Sequence, residues 1–158
     1  MNEHQAAEGA RYAIAVSRFN GPIAEEMLQG VMEGFAAHQV AHSQVDVVHV
    51  PGAFELPVAA EALAASGRYQ AIIALGAVIR GDTAHFDYVA GSCAQGLTQV
   101  GIRHALPVIF GVLTTDTVEQ ALQRAERRQD NKGFEMAVAA LETAAALAAI
   151  ERNEVGQP

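Results

Sequence analysis

Four short apolar runs, Tyr12 to Ser17, Val45 to Val50, Ala71 to Val78 and Pro107 to Leu113, alternate with segments of helical period, which points to a parallel sheet covered by helices. Most of these runs are apolar enough to be buried on both faces, as strands of such a sheet are. Between them, Ile23, Met27, Val31 and Phe35 recur every four residues, and Leu56, Ala60 and Leu63 keep helical spacing. A third helix is expected from about His85 to Ile102, and Pro107 stops anything helical before the fourth strand. Thr117 with Gln120 forms a capping-box pattern that opens a short helix to about Arg128. A last helix is expected from Asn131 to Ile150. From Val138 onward its only polar residues are Glu142 and Thr143, so it should be buried, and in so small a domain that implies packing against another subunit as well.

A chain of 158 residues, 51% of them hydrophobic, supports one domain with a sizeable core. That domain is expected over residues 11–150, between a disordered or extended tail of residues 1–10 and a polar tail of residues 151–158. Cys93 is the single cysteine; it allows no disulfide within the chain, fits a reducing compartment and reads as a small buried residue on a helix. The N-terminus lacks the order of a signal peptide, and the longest apolar run, around Ala71 to Ile79, is too short to span a bilayer. A cytoplasmic protein with no membrane partner is the expectation. The net charge of −8 and the lack of any basic stripe argue against nucleic acid as a partner. Nine of the ten basic residues are arginines; the one lysine, Lys132, sits beside Asn131 and Gly133 and is a candidate site residue.

In a parallel α/β sheet the site lies outside the carboxyl ends of the strands, and all four segments following the expected strands are unusual. The first carries Ser17, Arg18, Phe19, Asn20 and Gly21, an aromatic face beside an amide. The second begins with Pro51 and Gly52, which set a turn, followed by Ala53, Phe54 and Glu55. In the third, the apolar run stops at Arg80, Gly81, Asp82 and Thr83 and reopens as a helix with His85 in its first turn. That is the layout of an anion-binding strand-to-helix turn, with a titratable imidazole beside it. The fourth strand carries Phe110, with Thr114, Thr115 and Asp116 beyond. Each feature also has a purely structural account: Phe19 and Phe110 as core aromatics, Glu55 as an acid matched to a helix dipole, Thr115 or Thr117 as a cap. Their convergence on one rim is what favours a site. No histidine pair has a persuasive metal-ligand spacing; His4, His38, His42, His49 and His104 read as surface or packing residues. Dinucleotide, triphosphate and nucleophile-elbow patterns are absent.

From Arg11 to Ile150 the chain resembles the lumazine synthase family. The resemblance is carried in order by Ser17 to Asn20, Val50 to Pro57, Gly76 to Gly81, His85 to Val89, Pro107 to Thr115 and Asn131 to Gly133. It implies a three-layer αβα, flavodoxin-like fold with a four-stranded parallel sheet flanked by helices. The implied reaction condenses 5-amino-6-ribitylaminouracil with 3,4-dihydroxy-2-butanone 4-phosphate to 6,7-dimethyl-8-ribityllumazine, phosphate and water, with no metal or organic cofactor. By the same resemblance His85 is the proton-transfer residue. Phe19 stacks on the pyrimidine, Asn20, Ala53, Phe54, Val78 and Ile79 line the ring, and Glu55 binds the ribityl hydroxyls. The amides of Gly81, Asp82 and Thr83 together with Arg124 bind phosphate. Phe110, Arg124 and Lys132 come from the adjacent subunit of a homo-oligomer built from pentamers, with riboflavin synthase as a further partner. The competing readings are a non-catalytic lumazine- or flavin-binding assembly protein of the same fold, and a plain nucleotide-binding module. The joint presence of His85, Arg124 and Lys132 opposes the first. The lack of a Ser/Thr/Gly-rich loop after the first strand opposes the second.

Overall fold

A computed structural model describes residues 9–126, 131–156 and 158. Its strands are β1 (Tyr12–Ser17), β2 (Val45–Val50), β3 (Ala71–Ile79) and β4 (Val108–Thr115), and its helices are α1 (Gly21–Ala37), α2 (Leu56–Ala65), α3 (His85–His104), α4 (Val118–Ala125) and α5 (Lys132–Glu151). The strands form one parallel sheet in the order β2-β1-β3-β4. Five helices flank it in two layers, the expected three-layer, flavodoxin-like arrangement.

Alternation along the strands sorts the core into those layers. Tyr12, Ile14 and Val16 of β1 point with Ile73 and Leu75 of β3 toward α1, α4 and α5, where Met27, Val31, Phe35 and Leu141 meet them. Ala13, Ala15, Ile72 and Ala74 point the other way, toward Leu56 and Ala60 of α2 and Cys93, Leu97 and Val100 of α3. The stripe of α1 that recurs every four residues is therefore core, as its spacing predicts.

Three expectations need correcting. β2 is half-buried to exposed along its whole length, because the strand order puts it at the sheet edge. A run of valines does not distinguish an edge strand from a central one. β4 continues through Thr114 and Thr115, which pair with Val78 and Ile79; these β-branched residues extend the ladder where their polarity suggests a loop. α4 ends at Ala125 with Glu126 already extended, short of the expected stop at Arg128, which lies outside the described residues.

The apolar C-terminal helix departs further. By length and composition α5 could cross a membrane, which the count of unbroken apolar runs missed, and only 22% of its most apolar stretch is buried within the chain. Gly133, Ala137, Ala140 and Leu141 form its buried side. That side seats against α1 with little clearance. An added Cβ on Gly133 would collide with the Met27 carbonyl oxygen, and one on Gly30 with the Asn131 side chain. Asn131 is buried and caps α5, accepting from the amides of Gly133 at 2.6 Å and Phe134 at 3.3 Å while donating to the Ala125 carbonyl. Two residues of the Asn131 to Gly133 motif thus have packing and capping roles. Lys132 has neither, and pairs with Glu135 at 3.2 Å.

At the amino ends of the strands, Asp46 accepts from the Tyr69 hydroxyl at 2.6 Å and from Arg11 at 2.8 Å. The Tyr69 hydrogen bond first, then the Arg11 guanidinium, hold its carboxyl below the ordinary value. A depressed carboxyl stabilises the fold above its unfolded pKa, and the contribution fades as pH falls through the folded one. Asp46→Asn should therefore flatten the acid limb of stability below about pH 4, read from urea midpoints across pH. Gly133→Ala should lower stability by about 2 kcal/mol, seen as a lower urea midpoint with unchanged slope.

Candidate active site

In the order β2-β1-β3-β4 the chain leaves β1 toward one face of the sheet, through α1, and leaves β3 toward the other, through α3. The divergence opens a crevice at the carboxyl ends of the two central strands. A cleft of about 740 Å³ occupies it, walled by Phe19 after β1, by Pro51 to Glu55 after β2 and by the end of β3 with the first turn of α3.

Two aromatic side chains flank the mouth. Phe19 is 71% exposed and Phe54 63%, so neither is the core residue that a bland reading of Phe19 would require. Asn20 has a left-handed backbone at φ 58°, and its side-chain amide donates to the Ala77 carbonyl at 2.9 Å. The pairing of β1 with β3 ends at Val16 and Leu75, so the longer β3 leaves Ala77 without a strand partner on that side, and Asn20 supplies one. The short 3-10 turn Ala53–Glu55 then presents Glu55 at the start of α2, half-buried and in the wall of the cleft. Ala53, Val78 and Ile79 form the apolar floor.

The third side carries the imidazole of the cleft. Gly81 and Thr83 line the cleft in an exposed turn, and the Thr83 hydroxyl accepts from the His85 amide at 3.3 Å as α3 begins. His85 is exposed at the mouth, with Phe86, Tyr88 and Val89 along the same wall. Among the described residues lining the cleft none is a lysine, cysteine or serine. Cys93 lies buried in α3, and burial pushes its thiol up to about 11, so it is no nucleophile at neutral pH. No three His, Cys, Asp or Glu side chains converge as a metal would need among the described residues.

Of the sequence-derived candidates, the fold brings together Phe19, Ala53, Phe54, Glu55, Val78, Ile79, Gly81, Thr83 and His85. Asn20, Asp82, Phe110, Arg124 and Lys132 do not line the cleft of this chain. Asn20 is held by the Ala77 carbonyl, and Asp82 is exposed in the turn. Phe110 lies mid-strand at the free edge of β4, opposite Ala74, well before the carboxyl end. Arg124 and Lys132 belong to α4 and α5, which pack with α1 on the far layer; Arg124 donates to the Gln120 carbonyl of its own helix. Thr117 caps α4 through the Gln120 amide, and the Thr115 hydroxyl donates to the Thr117 carbonyl, so the structural reading holds for both threonines. His49 and His104 pair with Glu25 and Glu61, away from the cleft; His4 lies outside the described residues.

Sequence reasoning left Phe86, Tyr88 and Val89 unassigned, although Val89 lies one helical turn after His85 and Phe86 stands three residues before Val89, on its side of α3. That signal was legible, but an aromatic and a valine at helical spacing read equally well as core, and both do pack against the α2–α3 cluster. The family model described as 6,7-dimethyl-8-ribityllumazine synthase matches residues 9–148, from the last residues before β1 to near the end of α5. With the match spanning every strand and the whole cleft, the chain belongs to the 6,7-dimethyl-8-ribityllumazine synthase family, a transferase family of riboflavin biosynthesis.

Proposed function

We propose that this protein condenses 5-amino-6-ribitylaminouracil with 3,4-dihydroxy-2-butanone 4-phosphate to give 6,7-dimethyl-8-ribityllumazine. The observation that carries the reading is the pairing of an aromatic-walled cleft with a single imidazole next to a glycine-bearing turn. The pyrimidine stacks on Phe19, with Phe54 beside it at the mouth and Ala53, Val78 and Ile79 beneath. Glu55 accepts hydrogen bonds from the ribityl hydroxyls. The phosphate of the second substrate rests on the amides of Gly81, Asp82 and Thr83, where backbone N–H groups serve whatever the side chains are.

The chemistry then asks little of the protein beyond placement and proton transfer. The pyrimidine amine attacks the ketone and water leaves as the imine forms; phosphate is eliminated; the ribitylamino nitrogen closes the second ring with loss of another water. Holding both reactants in one cleft replaces a bimolecular encounter, a large effect in its own right. His85 takes and returns the protons around phosphate loss, the general acid–base role that an imidazole within reach of the substrate can fill. No covalent nucleophile is required.

A single chain leaves this site unfinished. Arg124, Phe110 and Lys132 point elsewhere, while α5 is largely uncovered and Tyr88 and Ile102 of α3 are 76% and 77% exposed. In the proposed assembly, a homo-oligomer built from pentamers, the neighbouring subunit supplies those three residues, Arg124 gripping the phosphate with its planar fork. Riboflavin synthase is the further protein partner this reading expects, and the cytoplasm its compartment.

Purified protein given both substrates should form fluorescent lumazine well above the uncatalysed rate. His85→Ala should slow turnover by about tenfold to a hundredfold without abolishing it, because positioning survives. Arg124→Ala should raise KM for the phosphate substrate and leave the pyrimidine KM nearly unchanged. Unfolding and co-assembling the two variants in equal amounts should restore about a quarter of the wild-type sites, since a random mixture places an intact His85 against an intact Arg124 that often. Lumazine that binds but forms no faster than the blank would instead favour the non-catalytic binding protein.

A further inference from the structure

Arg80 is the first residue beyond β3, and none of the roles above uses it. Its backbone amide still donates to the Thr115 carbonyl at 2.9 Å, so its main chain is anchored to the end of β4. From there the side chain reaches in three directions. Nε donates to Asp116 at 2.8 Å, and Nη2 stands 3.7 Å from Asp87 in the first turn of α3. The guanidinium carbon lies 4.5 Å from the centre of the Phe86 ring. Phe86 forms part of the cleft wall, and both Phe86 and Asp87 follow His85 directly.

We infer that Arg80 is the positioning residue for His85, fixing the first turn of α3 against the end of β4; this rests on the reading of the cleft as the site of the condensation. The turn over residues 81–84 is exposed, and Ala84 at the helix start offers no side-chain cap. The Thr83 hydroxyl is a local contact that moves with the turn itself. Arg80 ties the turn to the sheet, stacking on Phe86 and pairing toward Asp87 while held by Asp116. A shift of His85 by even an ångström would spoil proton transfer at a substrate held by the opposite wall. Arg80 also sets its positive charge between two carboxylates beside the proposed anion site, offsetting repulsion that Asp87 and Asp116 would otherwise direct at a bound phosphate. A lysine could meet Asp116, but a point charge cannot stack and pair on two sides at once as a planar fork does.

The test uses the assembled protein and four variants: Arg80→Ala, Arg80→Lys, His85→Ala, and the double variant Arg80→Ala/His85→Ala. Each is first shown by circular dichroism and sedimentation to be folded and assembled like the wild type. Arg80→Ala should lower kcat about tenfold with little change in the pyrimidine KM, and Arg80→Lys should recover part of the loss. In the His85→Ala background the same Arg80→Ala change should cost less than about twofold, because no imidazole remains to be positioned. An equal loss in both backgrounds, or an unchanged kcat in Arg80→Ala, overturns the inference. If the wild type does not turn over the two substrates, the proposed reaction fails, and amide hydrogen exchange decides the positioning role separately. Faster exchange in Arg80→Ala confined to residues 81–88 supports it, and unchanged exchange there overturns it.

Discussion

The parallel pairing of β1 with β3 is the contact on which the rest of the molecule depends. It runs in step from Tyr12 opposite Ala71 to Val16 opposite Leu75, and both strands are buried along that pairing. Because α1 and α3 leave these neighbours toward opposite faces, the crevice above the pair follows from topology without any special sequence to open it. Asn20 closes the gap where β1 ends before β3, giving the Ala77 carbonyl a partner that the ladder cannot. A residue that the family resemblance makes a ring contact thus also holds together the two strand ends that define the cleft.

The two layers do different work. On the α2–α3 side, Ala13, Ala15 and Ala74 present small side chains toward Leu56 and Cys93, and the helices bring Glu55 and His85 to the rim. On the other side, α1 and α5 approach so closely that Gly30 and Gly133 have no space for a Cβ, and Asn131 satisfies the first amides of α5. That layer carries Arg124 and Lys132 away from the cleft of its own chain. Their placement on the far layer is why the proposed function assigns these two cations to the site of a neighbouring subunit.

Much of the fold was legible. The bounds of β1 and β2 agree with the apolar runs, the stripe Ile23, Met27, Val31 and Phe35 is buried, and the Thr117 capping box forms as written. What escaped were properties of neighbours. Val47 and Val48 are as apolar as central-strand residues, and their exposure follows only from the place of β2 at the sheet edge. The alanines of α5 suggested burial on nearly every side, yet a helix can contact one layer along one face only, so the remainder stays open in a single chain.

The candidate site divides along the same line. Short-range chemistry is written in the chain: glycine near a histidine after an apolar run, aromatic residues just past strand ends, and an ordered set of family motifs between Ser17 and Gly133. Those features depend on spacing along the backbone and survive in one dimension. Which side chains meet does not. That Phe19 and His85, 66 positions apart by their numbers, face one cleft while Arg124 does not, depends on strand order and on the face each helix takes. Arg80 shows the point most plainly: its three contacts, Asp116, Asp87 and Phe86, come together only when the end of β4 is laid beside the end of β3.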